Sequence, residues 1–353
     1  MKKTVSVLLL LLIVLPLALL SGCQSKPVLR VYNWAEYIDE GVIDQFEEEF
    51  NCTVKYSTFD SNEAMLSTYT EAKVSQDVLF PSDYTIGKMV HDGLLEELDY
   101  SRLPNAVNID DRFFNTVFDP NNEYRKYSVP YMWGTLGILY DTTKVTEPVD
   151  NWSILFDTKY KGNVIMMDSE RDTMAVALKK LGYSLNTTDL DQIAEAKALL
   201  LKQKKDGIVV GYRGDEAKPM MINKEAALAV VYSGVAYLAI DESDDLAYAV
   251  PKEGTNVWVD NAVIPKNAKN KDLAYKFIDF LCRPEVAKAN VEYILYSTPN
   301  KAAYELLDEE TRSNEVLYPS DEFLISSGCE AFVRLPLEVE KAYKNAFNEV
   351  TSN

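Results

Sequence analysis

VYNWAEY, Val31 to Tyr37, is the stretch from which the rest of this sequence is read. Val31 opens a short extended run, and the segment ends with two aromatics, Trp34 and Tyr37, on either side of a carboxylate, Glu36. GVIDQFEEEF follows from Gly41, with Val42, Ile43, Phe46 and Phe50 at helical spacing. Exposed polar and aromatic residues where a strand gives way to a helix mark the mouth of an open α/β sheet, where ligands bind. Similar groups recur at Tyr84, Asp168 to Asp172, Tyr232, Trp258 to Asp260 and Tyr296. The spacing is too wide for a local motif. The pattern therefore predicts a site assembled in three dimensions, a cage for an organic cation.

Working outward, CTVKYSTF reads as the next strand, with Val54, Tyr56 and Thr58 alternating. Ser61-Asn-Glu caps a helix, VLF (Val78 to Phe80) is a short buried strand ended by Pro81, and TIGKMVHDGLL is an amphipathic helix. Strand–helix–strand–helix–strand order indicates a parallel α/β sheet. The long strand of YSVPYMWGTLGILYD is expected from Thr135 to Tyr140, and a lobe crossover is placed there. NVIMMD is a strand entering a helix at SERDTMAVALKKLGYS, which sets Asp172 in the first turn, where a carboxylate suits the helix dipole. A strand ending at Tyr232, the pair LAYAVP and NVWVDNAVIP, and one helix over LAYKFIDFLCRPEVAKAN complete the pattern. The division expected is residues 31–136 and 260–302 in an N-terminal lobe, and 137–259 and 303–353 in a C-terminal lobe.

MKK, a 16-residue apolar run and SGC form a basic start, a hydrophobic stretch and a short stop, the layout of a signal peptide. Leu20-Ser21-Gly22-Cys23 resembles a bacterial lipoprotein junction, so residues 1–22 are expected to be removed, Cys23 lipidated and residues 23–30 left as a tether. A single lipidated terminus holds a protein at a membrane surface without burying its folded body. The formal net charge of −19 becomes −21 once Lys2 and Lys3 are lost with that segment. Such a surface repels nucleic acid and anionic substrates and concentrates cations. Cys52, Cys282 and Cys329 cannot all pair, and their spacing suggests no metal site. With His91 as the sole histidine, in a polar HDG turn, no histidine-based catalytic or zinc site is expected.

YNWAEY, FPSDY, FDPNNEY with SVPYMWG, MAVALKKLGYS, VWVDNAVIPKNAKNK, FIDFLCRPEVA and YSTPNKAA together resemble the polyamine-binding proteins of spermidine/putrescine ABC importers, over that family's full length. The resemblance implies a two-lobe periplasmic-binding-protein-like fold (type II), a hinged clamp with a central cleft that closes on one polyamine and delivers it to a membrane permease. It implies a monomer without cofactor, metal or catalytic residue, held outside the cytoplasmic membrane by its lipid alone. The family's ligand positions fall on Trp34, Tyr37, Ser82, Tyr84, Ser169 with Asp168 beside it, Asp172, Tyr232, Trp258, Asp260, Tyr296 and Glu330. Ser169 stands where an aspartate is expected, Tyr232 replaces an indole and Glu330 an amide, so length selectivity among polyamines is left open.

The chemistry of these residues suits that ligand. Each ammonium carries three donors and a desolvation cost, which carboxylates and hydroxyls offset. The methylenes are gripped by aromatic faces, which attract the cation by roughly 0.5 to 2 kcal/mol each. Trp258 and Asp260 alternate on a strand and so share a face. Bland readings stand beside these: Trp34 as a core anchor, Tyr37 and Tyr84 as loop braces, Asp172 as a helix-end charge, Glu330 as a surface residue. Three other functions remain in view. Ferric iron would call for adjacent tyrosines, another small organic cation would use the same cage, and a glycoside hydrolase would need two carboxylates at fixed separation. No HExxH, GxSxG or P-loop sequence is present.

Overall fold

The computed structural model describes residues 26–352 apart from 36, 60, 72–74 and 115–124. Cys23, the apolar run before it, Glu36 and all of FDPNNEY lie outside the described residues. Among the described residues, eight strands form one continuous path, in the order β2-β1-β3-β9-β4-β7-β5-β6, and a ninth, β8, is added to β4. The strands are β1 Val28–Trp34, β2 Thr53–Phe59, β3 Val78–Leu79, β4 Ser128–Asp141, β5 Val164–Met167, β6 Val209–Arg213, β7 Leu228–Tyr232, β8 Leu246–Ala249 and β9 Val257–Val263. β1 is parallel to β2 and β3, and β5 is parallel to β6 and β7, as helical crossovers require. β9 and β4 run antiparallel to these neighbours and to each other.

β4 spans both halves of the sheet. Its first part, Ser128 to Thr135, pairs with β9; its second, Leu136 to Asp141, pairs with β7 and β8. It is longer than the Thr135-to-Tyr140 strand expected from sequence. Pro130 has no N–H for the ladder, and the register shifts between Pro130 and Met132, so a bulge absorbs the proline and the strand continues. Trp258 and Val259 of β9 lie opposite Gly134 and Trp133 in the first sheet.

Each sheet face is covered because its helices present apolar stripes. In the helix Glu40–Phe50, Asp39 accepts the Gly41 N–H and Asn51 ends the helix in the left-handed region. Its Phe46 meets Phe277 at 4.9 Å and Phe280 at 5.4 Å, both from the helix Lys271–Leu281. That helix stops before Pro284, which sits at the first turn of a second helix, Pro284–Ile294. The single helix expected over LAYKFIDFLCRPEVAKAN is thus two, since a proline inside one helix would break its hydrogen bonds. Tyr304 and Leu307 pack against this first core. The second core gathers Trp152, Leu178, Leu228 and Tyr343, with the C-terminal helix Leu337–Thr351 laid across it. Cys52, Cys282 and Cys329 are buried, unpaired thiols. Among the described residues, no helix is long and apolar enough to cross a membrane.

Candidate ligand-binding site

Where the two halves of the sheet meet, the buried carboxylates Asp260 and Asp172 each gather side-chain donors. Asp260 on β9 accepts from Ser82 Oγ at 2.6 Å and Tyr37 Oη at 2.9 Å. Ser82 follows β3 and Tyr37 follows β1, so three segments of the first lobe converge on one carboxylate. Asp172 lies in the first turn of the helix Glu170–Lys180 of the second lobe. It accepts from Ser169 Oγ at 2.7 Å, Tyr232 Oη at 2.8 Å and Asn256 Nδ2 at 3.2 Å. Burial pushes the Asp260 carboxyl up to about 7, against the opposing pull of the Ser82 and Tyr37 donors. Burial also raises Asp172, offset by its donors and by the Arg171 charge. Each acid is therefore held at a cost that a bound cation would relieve.

Aromatic rings join the two acids. Tyr232, bonded to Asp172, meets Trp258 at 5.7 Å; Trp258 meets Tyr296 at 5.4 Å; Tyr296 meets Tyr37, bonded to Asp260, at 5.6 Å. All three contacts are edge-to-face, the favourable arrangement for aromatic quadrupoles. The backbone makes room for this row. A Cβ on Gly134 would lie 2.7 Å from the Trp258 ring, and one on Gly234 2.4 Å from the Tyr296 ring. Gly234→Ala is expected to weaken ligand binding and lower apo stability by about 1 to 3 kcal/mol through overpacking. A calorimetric titration beside a melting curve checks both; unchanged affinity would show that the Tyr296 ring position does not matter.

The remaining residues singled out from sequence are dispersed around this core. Trp34 is half-buried, donates its indole N–H to the Phe80 carbonyl at 2.9 Å and stacks on Phe59, so it flanks the Ser82 loop. Tyr84 reaches the other lobe: its ring meets Phe332 at 5.9 Å, while its hydroxyl takes Asn62 Nδ2 and donates to Glu63. Asp168 is exposed at the end of β5, its backbone N–H bonded to Arg213, and it does not join the Asp172 cluster. Glu330 is also apart: its carboxylate is paired with Lys179 and accepts from Ser184 Oγ at 2.5 Å. A lysine already fills the role that a ligand cation would take there. Arg171 turns away from Asp172, lying over Phe332 and bonding Asn186 Oδ1 at 2.9 Å.

Sequence reasoning missed Asn256, Asn62 and Asp83. Asn256 precedes Trp258 by two residues, so the strand period that paired Trp258 with Asp260 would have found it. Asn62, read as part of a helix cap, instead holds Ser82, donating to its Oγ and accepting its backbone N–H, each at 3.0 Å. Asp83 is buried beside Asp260; burial, with a contribution from the Asp260 charge, pushes it well above the usual carboxylate range, against the Tyr84 and Val259 backbone N–H groups that donate to it.

Comparison with known proteins decides the kinship. A family profile described as bacterial extracellular solute-binding protein matches residues 41–317. The spermidine/putrescine-binding periplasmic protein of Escherichia coli K12 is 40% identical over 303 residues, 85% of each chain. That of Salmonella typhimurium is 39% identical over 309 residues, 86% of each. The chain belongs to the spermidine/putrescine-binding protein family. Its fold is shared too. A spermidine/putrescine ABC transporter substrate-binding protein from Streptococcus pneumoniae superposes with a TM-score of 0.80 at 40% identity, covering 92% of this chain and 98% of that one. A chain from Listeria monocytogenes assigned to a spermidine/putrescine ABC transporter gives 0.86 at 41%, covering 92% and 99%. The two-lobe architecture is accordingly the periplasmic-binding-protein-like α/β fold of type II. As a member of the spermidine/putrescine-binding family, the chain is an extracytoplasmic solute-binding protein and not an enzyme.

Proposed function

We propose that this protein captures a polyamine, spermidine or putrescine, between its lobes and delivers it to an ABC importer permease. One observation carries the reading: two buried carboxylates, one per lobe, joined by the row Tyr232, Trp258, Tyr296 and Tyr37. Two acids match two ammonium groups, and the aromatic row matches the methylenes between them. Glu170, two residues before Asp172 and pushed up to about 7 by burial and then by Glu63, is the acid we assign to a third ammonium. Ferric iron fits less well, because the hydroxyls of Tyr37 and Tyr232 are spent on the carboxylates.

The lobe division is placed at β4, between Thr135 and Leu136, with all of β9 in the first lobe rather than cut at 259/260 as expected from sequence, because β9 pairs with Ser128 to Thr135 along its whole length. Closing them requires a ligand that satisfies both acids, since neither half-site meets both ends of a polyamine. Cys23, lipidated after loss of residues 1–22, tethers the monomer to the outer face of the cytoplasmic membrane. Calorimetric titration of the mature chain with putrescine, spermidine, a monoamine and ferric citrate tests the binding claim. Saturation at one polyamine per chain, with much weaker monoamine binding, is expected. Saturation by ferric citrate, or no response to either polyamine, would refute it.

A further inference from the structure

Asn256 is buried, 2% exposed, immediately before β9. Its backbone is fixed by the Leu136 N–H, which donates to its carbonyl at 3.0 Å. The side-chain orientation is fixed by chemistry. A carboxylate accepts and does not donate, so the amide must turn its NH2 to Asp172, as the 3.2 Å bond shows. Asn256 Oδ1, on the same amide carbon beside that NH2, is buried and without a hydrogen-bond partner. An acceptor left unmade in the interior is costly, and in a native structure it calls for an explanation. Trp258 Nε1, two residues on, is likewise buried and unpartnered. The two differ in kind: an N–H cannot pair with an ammonium, whereas an amide oxygen can. The indole thus serves a cation with its ring, and the asparagine serves it with its oxygen.

We infer that Asn256 Oδ1 is a ligand acceptor that takes one N–H of the ammonium whose charge Asp172 neutralises. This rests on the polyamine reading above and refines it. An acid and an amide on one ammonium use two of its three donors, so this end of the site selects a primary alkylammonium. An N,N-dialkylated amine has a single donor and can satisfy only one of the two. The amide then has two duties, holding Asp172 with its nitrogen and the ligand with its oxygen.

Two substitutions separate those duties. Asn256→Leu has similar size and removes both polar atoms. Asn256→Asp cannot donate to Asp172 but keeps an oxygen towards the ligand. Calorimetric titration with putrescine and spermidine, with apo melting curves alongside, is read for wild type and both variants. Loss of a hydrogen bond to a charged group should weaken Asn256→Leu by about tenfold. Asn256→Asp should bind at wild-type affinity or tighter while melting lower without ligand, because its new carboxylate repels Asp172. Equal weakening of both variants would overturn the proposal and leave Asn256 as a positioning residue for Asp172. Unchanged affinity in Asn256→Leu would overturn it as well. If Asn256→Leu fails to fold, Asn256→Asp decides alone, and a loss of binding there refutes the inference. A wild-type protein that binds neither polyamine would defeat the polyamine reading itself, and this proposal with it.

Discussion

Asp260→Asn is expected to weaken polyamine binding by roughly ten- to a hundredfold, the consequence of losing one charge-assisted hydrogen bond. The substitution keeps the side chain's size and an acceptor for one of Ser82 and Tyr37, whose hydroxyls now bond one carboxylate oxygen each; the other hydroxyl turns to accept from the new NH2. It removes the negative charge that burial holds at a cost in the empty protein. Apo stability should therefore be kept or raised at neutral pH while affinity falls. A structural role would give the opposite pair of results, a lower melting temperature and an intact affinity. Titration and melting curves on the same samples distinguish the two. The Trp258 ring, packed between Tyr232 and Tyr296, gives a useful control. Trp258→Ala should also weaken binding, but it should lower apo stability too, since it removes a large buried side chain.

The second large effect is a dependence on pH with opposite signs for affinity and stability. Asp260 titrates at about 7 in the ligand-free fold, against about 4 for an ordinary carboxyl. Between those values the folded chain binds more protons than the unfolded one, so this group's contribution to stability falls as pH rises from about 4 to about 7. A cationic ligand needs the ionised acid, so binding below pH 7 expels a proton. Affinity should drop by up to about tenfold for each pH unit below 7, or about a hundredfold by pH 5. Asp172 is raised in the same direction by burial. Titrations in buffers of different ionisation enthalpy measure the proton released. Asp260→Asn should lose its part of the pH dependence. An affinity constant across this range, with stability also flat, would contradict the assigned burial of Asp260.

Much of this site was legible because strand ends and helix starts carry it. Tyr37, Ser82, Asp172, Tyr232 and Asp260 all lie where a strand hands over to a helix or on the β9 strand, and the period of two placed Trp258 and Asp260 together. What could not be read depended on distant partners. Glu330 offers the same carboxylate as Asp260, but Lys179, from a helix far away in sequence, already occupies it. Asp168 adjoins Ser169, yet one residue of strand-to-helix transition turns it outward. Asn62 looked like a cap because its local context is a helix start, and only the fold brings it to Ser82. The long reach of β4 was hidden by Pro130, a strand breaker in sequence that the register shift accommodates. Gly134 and Gly137, read from sequence as allowing close packing, are where β4 passes close to the rings of Trp258 and Tyr248.

The most direct test is a crystal structure of the mature chain with spermidine or putrescine bound. One ammonium should lie within about 3 Å of an Asp260 oxygen and another within that distance of Asp172, the normal range for charge-assisted bonds. The methylenes between them should cross the face of Trp258. A polyamine bound elsewhere, or one that reaches only one of the two carboxylates, would contradict the account.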